Sequence, residues 1–199
     1  MAFISKISNE EVATLEAVRF DGQIVVIDTD QDLERACQEL AEQPILGFDT
    51  ETRPSFKAGV TNKVALLQLA TYERCYLIRL CRVKFSSKLQ SILQRSDILK
   101  IGADVAGDLR SLGKVRTFTP RGFVDLQSEV GKFGIEDKSL RKMSGIVLGK
   151  RVSKAQRLSN WEAQTFTDQQ KIYAATDAWV CLKIYDKLKA ATPTESNNK

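Results

Sequence analysis

Five side chains in this sequence have the types and spacing to act on a charged substrate. Asp49 and Glu51 close the apolar run Ile45-Leu46-Gly47-Phe48. On a strand, acids at i and i+2 project from the same face. Two carboxylates side by side repel each other, and a divalent cation such as Mg²⁺ or Mn²⁺, which prefers hard oxygen ligands, is the counter-charge they suit. A strand fraying into a solvated acidic turn would also read Asp-Thr-Glu, so further ligands must come from elsewhere in the chain.

Two later segments offer them. Lys100 to Leu112 reads as a strand running into a helix, with Asp104 as N-cap. Asp108 lies beside Leu109 and Leu112, an apolar i, i+3 pair that draws this face toward the sheet and makes Asp108 the better ligand. Tyr173 and Asp177, four apart, share a helix face. Ala174, Ala175 and Ala178 let that helix approach another element closely. Taken alone, a Tyr–Asp pair at this spacing is ordinary decoration of a solvated face. The chain has no histidine, which excludes Ser-His-Asp hydrolases, HNH-type nucleases and HExxH metalloproteases.

The elements that must position these residues follow from pattern. At 199 residues, 43% hydrophobic and 28% charged, the chain fits one domain with a proper core. Residues 8–16 read as a helix, and Val18-Arg19-Phe20, Asp21-Gly22 and Gln23 to Asp28 as a β-hairpin with a type I′ turn. A helix capped by Thr29 or Asp30 runs to about Glu42. The acid-bearing strand and the runs 63–70 and 74–80, joined by short links, make an antiparallel meander. Helix 86–94, strand 98–103, helix 104–112 and strand 122–126 then alternate, before helices at 139–148 and 167–190. The expected fold is α/β, a mixed sheet with helices on both faces.

Cys37, Cys75, Cys81 and Cys181 show no CxxC pairing, so zinc is not expected and the thiols fit a reduced, cytoplasmic protein. The first residues turn acidic before a signal-peptide core forms, and no apolar run reaches the roughly 20 residues that span a bilayer. A soluble protein without membrane partners is expected. The net charge of +5 leans mildly toward polyanions.

In combination, Asp-x-Glu on a strand, Asp on a middle helix and Tyr-xxx-Asp on a late helix are far more specific than any part. With GFDTE (47–51), KVALLQLAT (63–71), KIGADVAGDL (100–109) and SNWEAQTFTDQQKIYAATDAW (159–179), the sequence resembles the tyrosine-bearing branch of the DEDD superfamily of 3′–5′ exonucleases. It is most similar to the Werner-type exonuclease domain and next to RNase D. The resemblance implies an RNase H-like fold over residues 24–191; the residue pattern places an N-terminal helix-and-hairpin extension (1–23) before it, and the polar stretch 192–199, lacking apolar anchors, reads as a disordered tail after it.

It also implies two divalent cations, Mg²⁺ or Mn²⁺, with Asp49 bridging both, Glu51 and Asp177 on the one that activates water, and Asp108 on the other. Tyr173 would align that water. The implied reaction removes nucleoside 5′-monophosphates from a 3′ end, of DNA in preference to RNA. RNA 3′-end trimming and a silent nucleic-acid-binding module are the alternatives.

For the substrate strand, residues 138–161 hold Lys138, Arg141, Lys142, Lys150, Arg151, Lys154 and Arg157 without one acid, a pattern suited to phosphate tracking. A second acid-free stretch holds Arg110, Lys114, Arg116 and Arg121. Trp161 is either a base-stacking residue or a core plug. Arg53 and Phe56, beside the acid pair, could flank the terminal nucleotide.

Overall fold

The computed structural model describes residues 3–55, 59 and 62–193. Six strands, β1 (Gln23–Ile27), β2 (Ile45–Thr52), β3 (Val64–Ala70), β4 (Arg74–Ile78), β5 (Leu99–Gly102) and β6 (Phe123–Asp125), form one sheet in the order β1-β4-β3-β2-β5-β6. The helices are α1 (Asn9–Thr14), α2 (Asp30–Ala41), α3 (Ser87–Gln94), α4 (Val105–Gly113), α5 (Leu126–Glu129), α6 (Leu140–Leu148) and α7 (Asp168–Lys189), with a 3-10 turn at Val130–Phe133. The meander is present: β2–β3 and β3–β4 pair antiparallel. β1, β5 and β6 add in parallel, reached by helical crossovers.

Strand alternation divides the core in two. Leu46, Phe48, Leu67, Leu69, Tyr76 and Ile78 face one way and pack with the apolar residues of α2, α3 and α4. Leu66, Ala70, Cys75 and Leu77 face the other way, against Ala174, Ala175 and Ala178 of α7. Asp49 and Glu51 alternate with Phe48 and therefore lie on the α7 side. Helix starts follow local chemistry: Ser8, Thr29, Ser86, Ser139 and Thr167 each accept a backbone N–H of the first turn, and Ser8 and Thr167 complete capping boxes with Glu11 and Gln170.

The expected hairpin at 18–28 does not form. β1 pairs in parallel with β4, and Val18 to Phe20 cross to α7 instead. There the Phe20 N–H donates to Thr176 Oγ1 at 3.0 Å, and the Phe20 ring lies 5.6 Å from Trp179. Gly22 is absent from the glycines with positive φ, so the Asp21-Gly22 step is not a type I′ turn. Gly22 is small for another reason: a Cβ there would meet the Glu73 carbonyl oxygen at 2.3 Å. The short helical turns between Leu126 and Phe133 were not expected either. Residues 194–199, most of the expected disordered tail, lie outside the described residues.

Candidate active site

β2 delivers the acid pair and α7 delivers its complement. The two elements meet at Gly47, where a Cβ would stand 2.1 Å from the Ala178 carbonyl oxygen. With Gly47 set against the backbone at Ala178, helix and strand approach closely enough for Asp177 to join Asp49 and Glu51. One carboxylate oxygen of each lies within 4.8 Å of the others. Tyr173, one turn earlier on α7, is buried and stacks on Trp161 with centroids 6.0 Å apart and planes at 30°.

Asp108 arrives from α4, and its Oδ1 accepts the Thr50 hydroxyl at 2.6 Å. Thr50 lies between the two β2 acids and on the opposite face, so Asp108 approaches from the other side of that strand and stands outside the tight trio. The placement of α4 does not depend on Asp104 as a cap. Asp104 sits at the N-cap position with φ +60° and makes no capping bond; an aspartate tolerates this left-handed backbone better than most residues. Asp125 caps instead, accepting Val105 N–H at 3.0 Å and Gln127 N–H at 2.9 Å. One side chain at the end of β6 thereby fixes the starts of both α4 and α5.

The electrostatics are those of acids pressed together out of water. Burial, then the charges of Asp177, Asp108 and Glu51, hold the Asp49 carboxyl well above the usual carboxylate range. Burial, then Asp177 and Asp108, push Glu51 up to about 8. Trp161 Nε1 faces this carboxylate and opposes the rise, without forming a hydrogen bond of ordinary geometry. Burial lifts Asp177 to about 7 and Asp108 to about 7, the latter against its Thr50 bond. Burial beside Asp177 and Glu51 raises the Tyr173 phenol above its usual value. Among the described residues, no lysine or arginine is ion-paired with any of these acids. A trio of carboxylates lacking a basic partner, with Asp177 Oδ1 buried and unbonded, fits a hard divalent cation.

The expected substrate residues divide. Trp161 is fully buried, edge-on to Phe166 at 5.6 Å; it plugs the core under Tyr173 and is not available to stack on a base. Lys150 pairs with Glu16 at 3.1 Å, and Arg151 Nε donates to the Leu15 carbonyl at 2.9 Å. Lys138 donates to the Gln127 carbonyl, and Lys142 pairs with Asp137. Lys154 and Arg157 are exposed. Arg53 is exposed and pairs with Glu162 at 3.3 Å. Phe56 lies outside the described residues. A cavity of about 420 Å³ opens beside Tyr173 and Asp177, walled by Val18, Val152, Ala155 and Ile172.

Thr50, Asp125 and Arg79 escaped the reading of the sequence. Arg79 is buried and donates to Asp28 and to the carbonyls of Ala163 and Gln164, with its guanidinium 4.4 Å above the Phe166 ring. It ties the segment leading into α7 to the end of β4.

A mixed meander-and-crossover sheet carrying acids on its central strand and facing helix defines the RNase H-like class of nucleic-acid-processing folds. The chain belongs within it to the 3′–5′ exonuclease family, whose model matches residues 24–192. It is 34% identical over 156 residues to the mouse bifunctional 3′-5′ exonuclease/ATP-dependent helicase WRN, covering 75% of this chain and 11% of that protein. Among solved structures it is similar to the Nibbler EXO domain of Aedes aegypti, with a TM-score of 0.78 and 25% identity over 88% of this chain and 91% of that one. The fold is shared with Escherichia coli RNase D, described as an exoribonuclease involved in structured RNA processing, at a TM-score of 0.73 and 24% identity over 85% of this chain and 46% of that one. The chain spans 11% to 27% of the length of the first curated relatives it matches. Among the described residues no helix is long and apolar enough to cross a membrane.

Proposed function

We propose that this chain hydrolyses nucleic acid from the 3′ end, releasing nucleoside 5′-monophosphates, by the chemistry of the tyrosine-bearing DEDD exonucleases. The observation that carries the reading is the convergence of Asp49, Glu51 and Asp177 within 4.8 Å, with Tyr173 one helical turn from Asp177. Asp49, Glu51 and Asp177 hold divalent cations, and Asp108 serves from the far side of β2. When bound, a pair of such ions stabilises both the attacking and the leaving oxygen of a phosphodiester and supplies a nucleophile at neutral pH. Mg²⁺ and Mn²⁺ both suit an all-oxygen donor set.

Tyr173 acts as a neutral phenol. Its surroundings oppose ionisation, so its hydroxyl orients water or a phosphate oxygen by hydrogen bonding and leaves proton removal to other groups. Trp161 and Phe166 hold the ring in place and keep bulk water from its inner face. Lys154 and Arg157 meet the phosphate backbone, and the apolar cavity beside Tyr173 and Asp177 has room for a nucleobase.

DNA is the favoured substrate on the resemblance to the Werner-type domain. The fold shared with RNase D makes RNA trimming the second reading. The complete acid set argues against a silent binding module. Incubating end-labelled DNA and RNA oligonucleotides with the protein in Mg²⁺, Mn²⁺ or EDTA tests this directly. Laddering from the 3′ end, abolished by EDTA, is expected; intact substrates in both metals would refute the activity, and the faster ladder ranks DNA against RNA.

A further inference from the structure

Gln68 is the one described residue whose side chain is buried with both polar ends unbonded: neither Nε2 nor Oε1 has a hydrogen-bond partner, and its exposure is 0%. It sits in the middle of β3, directly across from Asp49 in the antiparallel register. Directly opposed residues in such a pair put their side chains on the same face, with Cβ atoms about 4.5–5.5 Å apart. The Gln68 carboxamide therefore lies beside the Asp49 carboxyl, between β3 and the alanine face of α7.

Its position is otherwise that of a core apolar residue, since β3 is buried along its whole length. A leucine there would pack without penalty, whereas a buried amide lacking partners is costly. The other described orphans point the same way. Trp161 Nε1 and Asp177 Oδ1 also belong to the acid cluster, while Arg79 Nε and Arg141 Nε lie outside it. Unsatisfied polar atoms thus concentrate where a ligand would complete the site.

We propose that Gln68 is a positioning residue of the cation site: its Nε2 donates to Asp49, the residue it faces across the β2–β3 register, and fixes which carboxylate oxygens face the ions. This rests on the two-cation reading above. Partners that orient a ligating carboxylate from behind typically contribute tenfold to hundredfold in metal affinity. The amide also suits the role electrostatically, because it supplies a donor without adding a charge that would compete with the cations.

The test uses the full chain with Gln68→Met, which conserves volume and removes the donor. Calorimetric titration with Mn²⁺ should give a Kd raised about tenfold to hundredfold, and kcat on an oligonucleotide should fall about tenfold with KM unchanged. The melting midpoint in EDTA should hold or rise, because a buried orphan has been removed. A lowered midpoint in EDTA with unchanged Mn²⁺ affinity would make Gln68 a packing residue and overturn the proposal. Failure of the wild-type chain to bind Mn²⁺ would bring down the two-cation reading along with it. If Gln68→Met does not fold, the wild-type Gln68 side-chain amide is followed by ¹⁵N NMR during Mg²⁺ titration. A shift with slowed hydrogen exchange supports the bond to Asp49; an unmoved resonance on a metal-bound protein overturns it.

Discussion

Buried charge is handled in two opposite ways in this molecule. Lys100 and Arg79, at 0% and 1% exposure, are surrounded by acceptors. Lys100 Nζ donates to the carbonyls of Ile92, Arg95 and Ile98 at 3.2, 2.7 and 2.8 Å and lies 4.9 Å from the Phe123 ring. Arg79 donates through its two terminal nitrogens to two carbonyls and Asp28 and lies over the face of Phe166, with only its Nε unbonded. The acids on β2 and α7 receive little of this. Thr50 serves Asp108, but Asp177 keeps an unbonded oxygen and like charges face one another. The end of α3 and the link into β5 supply three carbonyls to a lysine, whereas the carboxylates of the site are left to be completed from outside the chain. Buried charge met by carbonyls and an opposite charge marks architecture here, and carboxylates facing one another without a basic partner mark the site.

Removing an acid should break this contrast most forcefully. Asp49→Ala is expected to lower exonuclease rate by at least about 10³-fold, while the EDTA form keeps its fold and gains about 1 kcal/mol from losing a like-charge neighbour. Retained metal-dependent degradation by the purified variant would take Asp49 out of the mechanism. Removing a satisfied charge should act in the other direction. Arg79→Met is expected to lose about 3 kcal/mol in urea unfolding, because carbonyls lose their donor and the segment before α7 is released. A loss below about 1 kcal/mol would deny Arg79 its structural part.

Proton linkage sharpens the comparison further. Glu51 is held at about 8 and Asp108 and Asp177 at about 7 in the folded chain, above their unfolded values near 4. The folded state therefore binds protons more tightly, so their contribution is complete below about pH 4 and is lost as pH rises through 7 to 8. In EDTA the melting midpoint should fall by about 5 °C or more between pH 5 and 8. Saturating Mn²⁺ should flatten that slope, and a flat profile in EDTA would mean the acids are already neutralised within the chain.

The smallest effect concerns the basic loop. Reversing Lys154 and Arg157 to Glu should weaken oligonucleotide binding and reduce the salt slope by about 0.7 per lost single-strand phosphate contact. Reversing Lys150, already paired with Glu16, should change it less. Equal slopes for the two sets would place the strand elsewhere.

Most of the site could be read from the sequence because its residues lie on regular elements. Period-2 alternation puts Asp49 and Glu51 on one face, and period-3.6 spacing puts Tyr173 and Asp177 on another. What escaped depends on partners distant in sequence. Phe20 leaves its expected hairpin for Thr176, 156 residues away. Val105 takes its cap from Asp125 rather than from the adjacent Asp104. The run of basic residues free of acids in sequence is not free of them in space, since Glu16 and Asp137 reach into it. Trp161, ambiguous on composition, is settled as core by two aromatic neighbours. Gln68 sat inside a matched stretch, yet only the register with Asp49 gives it a role.

The bare backbone of Gly47 against the Ala178 carbonyl acts as a gauge for the whole catalytic apparatus. Because main chain meets main chain there, no rotamer change can absorb an added methyl group; helix and strand must separate, and the separation passes undiminished to the carboxylates two and one residues away. A protein with alanine at that position could keep its topology and its secondary structure and still hold its acids too far apart to share an ion. A residue without a side chain thereby sets the tolerance of the acid cluster.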